Sequence, residues 1–171
     1  MEKNNFWSSA ALNGIYLSLV TIIYFLVTSV FNLNTLVNVL LQIIKIGLIV
    51  YLLYFFIKDY SNNFETFSYG EGFKYGFAVC LFSSLICACY GYLSAAVLFK
   101  EKTIAQFEMT MNSLGSSITP DVENMLSFAM ENIGVLTLFS GLVYYIFMGI
   151  VFPAIIANFT KKENIFINSQ N

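Results

Sequence analysis

Forty-one consecutive residues, Asn4 to Ile44, carry no charge. As one helix rising about 1.5 Å per residue they would be roughly twice the thickness of a bilayer's hydrocarbon core. The run therefore has to fold back, and Asn32-Leu33-Asn34 is the turn-like place near its middle. This predicts a first helix over about 7–31 and a second over about 35–57, closed by Lys58-Asp59-Tyr60. A cleavable signal peptide has an apolar region of only about 7–15 residues followed by a small-x-small site. This run is far longer and no such site follows, so the first helix is expected to stay.

A third charge-free run lies between Lys74 and Lys100 and holds 25 residues, enough to cross a bilayer with some tilt. A polar linker, Ser61-Asn62-Asn63-Phe64-Glu65, leads to its entrance, where Ser68-Tyr69-Gly70-Glu71 is a capping box. The Ser68 hydroxyl can take the Glu71 backbone N–H while the Glu71 carboxylate reaches back. Ser68, Glu71 and Lys74 thus form a capped, charged entrance to a third span over about 75–99. The spacing of Glu71 and Lys74 beside Tyr75 would also allow a small charged cluster at the membrane surface.

Only 11 % of the chain is charged against 58 % hydrophobic, and mean hydropathy is +0.73. Soluble domains carry about 25 % charged residues, so this chain cannot cover a water-facing surface. The net charge of −2 argues against nucleic acid, which needs a clustered cationic face. All eight basic residues are Lys, and with no His the commonest metal ligand and general base are missing. Cys80, Cys87 and Cys89 all lie inside the third span, where a disulfide framework has no place. They read as small buried residues. No catalytic, cofactor-binding or metal-ligating set is legible.

After Lys100-Glu101-Lys102 the pattern changes. Ile104, Phe107, Met111 and Leu114 share one helical face, Gly115-Ser116-Ser117 breaks it, and Thr119-Pro120-Asp121 restarts it as N-cap, first helical proline and first-turn acid. Val122, Met125, Leu126, Ala129 and Ile133 make the next apolar stripe, opposite Glu123, Asn124, Ser127 and Glu131. Residues 100–132 are thus an amphipathic helical loop. No breaker separates them from the final apolar run, about 133–157, so one continuous rod is expected, kinked by Pro153. Lys161-Lys162-Glu163 closes it, and residues 158–171 form a polar tail. No internal repeat is found. The whole of 1–171 reads as a single transmembrane domain.

Four spans place both termini on one side. That side would hold Lys3, Lys58, Lys74, Lys161 and Lys162 against Lys100 and Lys102 on the other, which favours cytoplasmic termini.

Lipid gives helices no hydrophobic drive to associate, so small residues and interhelical hydrogen bonds must hold them. The third span has such a seam in Gly76, Cys80, Ser83, Cys87, Gly91 and Ser94. Weaker ones run through Gly14, Ser18, Thr21 and Thr28 in the first span, and Gly134, Thr137, Gly141 and Tyr145 in the fourth. These faces are expected to meet. In the second span Asn38, Gln42 and Lys45 share a polar face, with Lys45 near the bilayer centre. No acid lies at that depth, so its candidate partners are neutral: Asn13, Tyr16, Ser83, Ser84, Tyr144 and Tyr145. Three readings stay open for this face: a structural hydrogen-bonded lysine, a wet cavity for a small solute or anion, or a lysine snorkelling to an interface.

The stretch Phe67-Ser68-Tyr69-Gly70-Glu71-Gly72-Phe73-Lys74-Tyr75-Gly76-Phe77 resembles the phrase that opens the third span in a bacterial family known as domain of unknown function 4199. The likeness extends to layout: four spans, a Lys-acid-Tyr exit after the second, a long amphipathic loop and a Lys-Lys-Glu ending. It implies a Bacteroidetes-type bacterial inner membrane and brings no assigned activity; Lys45 lies outside the phrase.

The expectation is an all-α, integral membrane four-helix bundle, with an amphipathic helical loop between the third and fourth spans. It would be a non-enzymatic protein acting through helix packing or contacts, with the lipid bilayer, further copies or another membrane protein as partners. The alternative is a small-solute or ion pathway along Asn38, Gln42 and Lys45. An intramembrane enzyme would need converging nucleophile, base or metal groups, which the spans do not offer.

Overall fold

The computed structural model describes residues 4–31, 34–113 and 120–162. Among them there is no strand, and the elements in order are α1 (Asn4–Val30), α2 (Thr35–Ser61), α3 (Tyr69–Leu93) with a π-helical turn (Ser94–Leu98), α4 (Lys100–Ser113), α5 (Pro120–Glu131) and α6 (Ile133–Thr160). Four helical stretches, Phe6–Val30, Thr35–Ser61, Tyr69–Leu98 and Ile133–Thr160, are long and apolar enough to cross a membrane. The chain is all-α with the composition of a four-pass membrane protein. Lys3, the turn residues Asn32 and Leu33, the break from Leu114 to Thr119 and the tail from Glu163 lie outside the described residues. So do the side chains of Asp121, Val122, Glu123, Asn124 and Met125.

The chain divides into two compact units, Met1–Ile86 with Tyr144–Asn171, and Cys87–Val143. In the first, α2 starts because Asn34 is extended (φ −64, ψ 152) and its side chain accepts the Leu36 N–H at 3.0 Å. The interior of this unit mixes Leu53, Ile57, Val79 and Tyr75 with the buried hydroxyls of Ser18, Thr21, Ser83 and Ser84. Leu36, Ile43, Tyr51, Phe147 and Phe159 are exposed. Apolar outside and hydroxyls inside is the reverse of a soluble domain.

In the second unit one expectation is corrected. The third span does not run as a regular helix to Phe99: it widens at Ser94, where the Phe99 N–H reaches back five residues to the Ser94 carbonyl at 2.8 Å. Phe99 then leaves helical geometry (φ −133, ψ 35), and its carbonyl accepts the Thr103 N–H at 2.9 Å and the Thr103 hydroxyl at 3.0 Å to start α4. Beside this turn Ala96 packs on Gly134, where an added Cβ would lie 2.8 Å away. α5 and α6 meet at Asn132, the one residue between them. Its backbone N–H and its side-chain amide both donate to the Phe128 carbonyl, at 3.1 and 2.9 Å, and its own carbonyl accepts the Leu136 N–H at 2.9 Å, so helical hydrogen bonds continue across the junction. On α4, Ile104, Phe107 and Met111 are half-buried while Gln106, Glu108 and Thr110 are exposed.

Candidate functional site

The start of α3 is where four elements of the first unit are tied together, and the stretch from Phe67 to Gly76 does the tying. Ser68 donates its backbone N–H (2.7 Å) and its hydroxyl (2.8 Å) to Glu71 Oε2, and the Glu71 N–H donates to Ser68 Oγ at 3.3 Å. This reciprocal cap sets where the helix begins and hence which way every later residue faces. Lys74 is exposed one turn on.

Phe67, fully buried, pairs antiparallel with Lys162 just beyond α6: Lys162 N–H to Phe67 O at 2.8 Å and Phe67 N–H to Lys162 O at 3.2 Å. The Lys162 ammonium crosses to the end of α2, donating to the Ser61 carbonyl at 2.9 Å and Asn62 Oδ1 at 3.1 Å. The last carbonyls of a helix lack intrahelical donors and its dipole favours a cation there.

Tyr75, one turn after Glu71, is 0 % exposed. Its phenol oxygen accepts from Asn13 Nδ2 at 2.8 Å and shares a hydrogen bond with Ser9 Oγ at 2.7 Å. Ser9 and Asn13 stand one turn apart on α1, so both reach the same oxygen. The Tyr75 ring stacks on Tyr60 of α2 (3.9 Å between centroids, 3° between planes), and Phe6 of α1 meets it edge-on. Close approach needs the two glycines around it. A Cβ at Gly76 would lie 2.7 Å from Ile57 Cδ1 and 2.9 Å from Pro153 Cβ; at Gly72 it would press on Phe67, Ala157 and Thr160 at 3.2–3.3 Å.

The second feature of the unit is Lys45, the eleventh residue of α2, about 15 Å along its axis. A charge at mid-bilayer costs about 2.5–3.5 kcal/mol on insertion scales. The Lys45 Nζ lies 4.3 Å from the Tyr24 ring centroid and 5.9 Å from that of Phe25, and cation–π attraction of about 0.5–2 kcal/mol offsets part of this cost. Lys45 also lines a cavity of about 90 Å³ with Thr21 of α1, Ser83 and Ser84 of α3, and Tyr144 and Tyr145 of α6. A water needs about 10–15 Å³ on this measure, so the cavity has room for several water-sized groups. Ser84 donates its proton to the Leu81 carbonyl at 2.7 Å, leaving oxygen lone pairs available.

The model of a family described as Protein of unknown function (DUF4199) matches residues 12–162, which takes in the stretch from Phe67 to Gly76 and the Lys45 cavity, while Phe6 and Ser9 precede it. The chain belongs to that family. No curated protein and no solved structure matches it.

The DUF4199 phrase is thus the part of the chain that joins α1, α2, α3 and the end of α6. Of the neutral partners expected for Lys45, four (Ser83, Ser84, Tyr144 and Tyr145) share its cavity, whereas Asn13 is taken by Tyr75 and Tyr16 is exposed. Asn38 and Gln42, respectively two turns and one turn earlier on α2, are not among the residues that line it. Along the α3 seam, Gly76 meets α2 and α6, and Cys80 lies on Gly149 of α6. Gly14 of α1 fits against Val79, Phe82 and Ser83. In the second unit Cys87 is buried, Gly91 approaches Thr137, and Ser94 opens the π turn. None of Cys80, Cys87 and Cys89 is in a disulfide; Cys80 and Cys87 are buried as expected, whereas Cys89 is exposed, which corrects the reading of all three as buried. Tyr24, Ser9 and the Lys162 clasp were not legible as site residues. Tyr24 had one usable signal: it and Lys45 stand ten and eleven residues either side of Asn34, so an antiparallel hairpin brings them level.

Proposed function

We infer that this DUF4199 chain is a non-enzymatic bacterial inner-membrane protein acting through helix packing and through contacts with partner membrane proteins or further copies of itself. The observation that supports this most is the fate of the family phrase. Phe67, Ser68, Glu71, Gly72, Tyr75 and Gly76 are each engaged in strand-like pairing, capping or close packing. A catalytic stretch would hold reactive groups toward a substrate; this one holds groups toward its own neighbours. The large apolar side chains on the outer faces of α2 and α6, among them Leu36, Ile43, Val143 and Phe147, suit contacts with lipid and with other spans.

The tied end faces the cytoplasm in this reading. Lys58, Lys74, Lys161 and Lys162 flank it, whereas Lys100 and Lys102 follow the third span. The amphipathic helices α4 and α5 then belong to the outer side, where their apolar stripes can rest on the bilayer surface.

The test is chemical crosslinking in native membranes, followed by detergent extraction of an affinity-tagged chain. A specific, reproducible crosslinked membrane protein or a crosslinked homo-oligomer is the expected result. Recovery of the chain alone at every crosslinker length would count against the reading. For orientation, green fluorescent protein fused at the C-terminal end should fluoresce, and alkaline phosphatase fused there should be inactive. The opposite pair of results would invert the topology.

A further inference from the structure

We propose that the groove between α2 and α6 seats one acyl chain of an anionic phospholipid, with Lys58 holding the phosphate. Its walls include Gly47, Val50, Tyr51 and Tyr54 of α2 and Ile155 and Phe159 of α6. The groove measures about 500 Å³, within the range of small-ligand sites, about 300–1,000 Å³. Nothing lies within 4 Å of where a Cβ on Gly47 would stand, so the floor is open. Tyr51, Ile155 and Phe159 are each more than half exposed, on helices long and apolar enough to cross a membrane. An apolar groove placed there meets lipid tails rather than water.

Length and charge choose the occupant. Gly47, Val50, Tyr51 and Tyr54 stand at i, i+3, i+4 and i+7, and Lys58 continues the same face at i+11. Eleven residues rise about 16 Å, half of a hydrocarbon core of about 30 Å. The groove thus has the reach of one leaflet's tail, whereas a packed helix from a second copy would run the full depth. At the head end Lys58 is exposed in the last turn of α2, its Nζ 5.5 Å from the Tyr54 ring centroid. Among the described residues the Lys58 ammonium has no hydrogen bond or ion pair, while Lys162 is committed to Ser61 and Asn62. No Asp or Glu lines the groove, and Asp59 stands about 100° further round the helix. A phosphodiester at the mouth therefore meets a cation with three N–H donors, and tyrosines suit the headgroup level.

The test counts lipids on the full chain, purified in dodecyl maltoside, by native mass spectrometry. Phosphatidylglycerol and phosphatidylcholine with the same oleoyl chains are titrated separately. One phosphatidylglycerol should be retained about fivefold more tightly than phosphatidylcholine, the factor expected for one lysine beside an anionic lipid. Lys58→Gln should erase that preference, and Gly47→Leu, which fills the open floor, should weaken retention of both lipids. Equal retention of the two lipids by the wild-type chain would overturn the proposal. Undiminished retention by Gly47→Leu would put the lipid outside the groove and overturn it as well. Displacement of the lipid by excess inorganic phosphate would overturn it in favour of a plain ion site. Loss of a dimer in Gly47→Leu, with lipid binding unchanged, would give the groove to a second copy instead. The wild-type comparison decides the matter even where a variant does not fold.

Discussion

A methyl group added at Gly76 would sit 2.7 Å from Ile57 and 2.9 Å from Pro153, whereas one added at Gly47 would meet nothing within 4 Å. Overpacking a close-packed contact costs about 1–3 kcal/mol, and replacing a helical glycine by alanine in open space gains up to about 1 kcal/mol. Gly76→Ala should therefore lower, and Gly47→Ala raise, the midpoint of thermal unfolding in one detergent; equal midpoints would show that the α3 contact is loose. Tyr75→Phe keeps the ring stack on Tyr60 but removes the oxygen that Ser9 and Asn13 share. Its expected cost is about 1–3 kcal/mol by the same assay, and an unchanged midpoint would mean that those bonds contribute nothing net. Small residues at helical spacing were readable because periodicity along one helix is a property of sequence. Ser9 on Tyr75 was not, because the partners are 66 residues apart and the rotation of α1 against α3 is set by packing alone. Asn13 shows the consequence: depth made it a candidate for Lys45, and rotation gave it to Tyr75.

For whole elements, ends matter more than middles. The start of α3 was legible because its capping box is local, with both partners within three residues. Ser68→Ala and Glu71→Ala should each cost about 1 kcal/mol, and the double variant clearly less than the sum, since each side chain serves the other. Full additivity in the unfolding assay would contradict a reciprocal cap. The end of α3 was not legible, since Ser94–Leu98 contains neither proline nor glycine to mark the π turn. The Lys162 clasp was hidden in the same way: two lysines after a span look like topology signals until one of them reaches Ser61 and Asn62 from a hundred residues away. Lys162→Met should raise amide hydrogen exchange around residues 61–67, while Lys161→Met should leave it near the wild-type rate. Identical exchange in the two variants would rule out the clasp.

The whole chain is governed by where its hydrophobic surface can go. Among the described residues Trp7, Leu36, Ile43, Val143 and Phe159 are each more than half exposed, while Ser18, Thr21, Ser83 and Ser84 are buried. Water would drive the opposite arrangement. Class followed from the scarcity of charge, and span count from the lengths of the apolar runs and the turn residues between the first two, because a bilayer imposes one length on every span. The lining of the Lys45 cavity followed only in part, because a cavity is made by side chains that only the fold assembles. The most direct test of the membrane-spanning account is the partition of the expressed chain after membranes are washed in alkaline carbonate. The account predicts that it stays in the lipid pellet; release of folded, monomeric protein into the aqueous supernatant would contradict it.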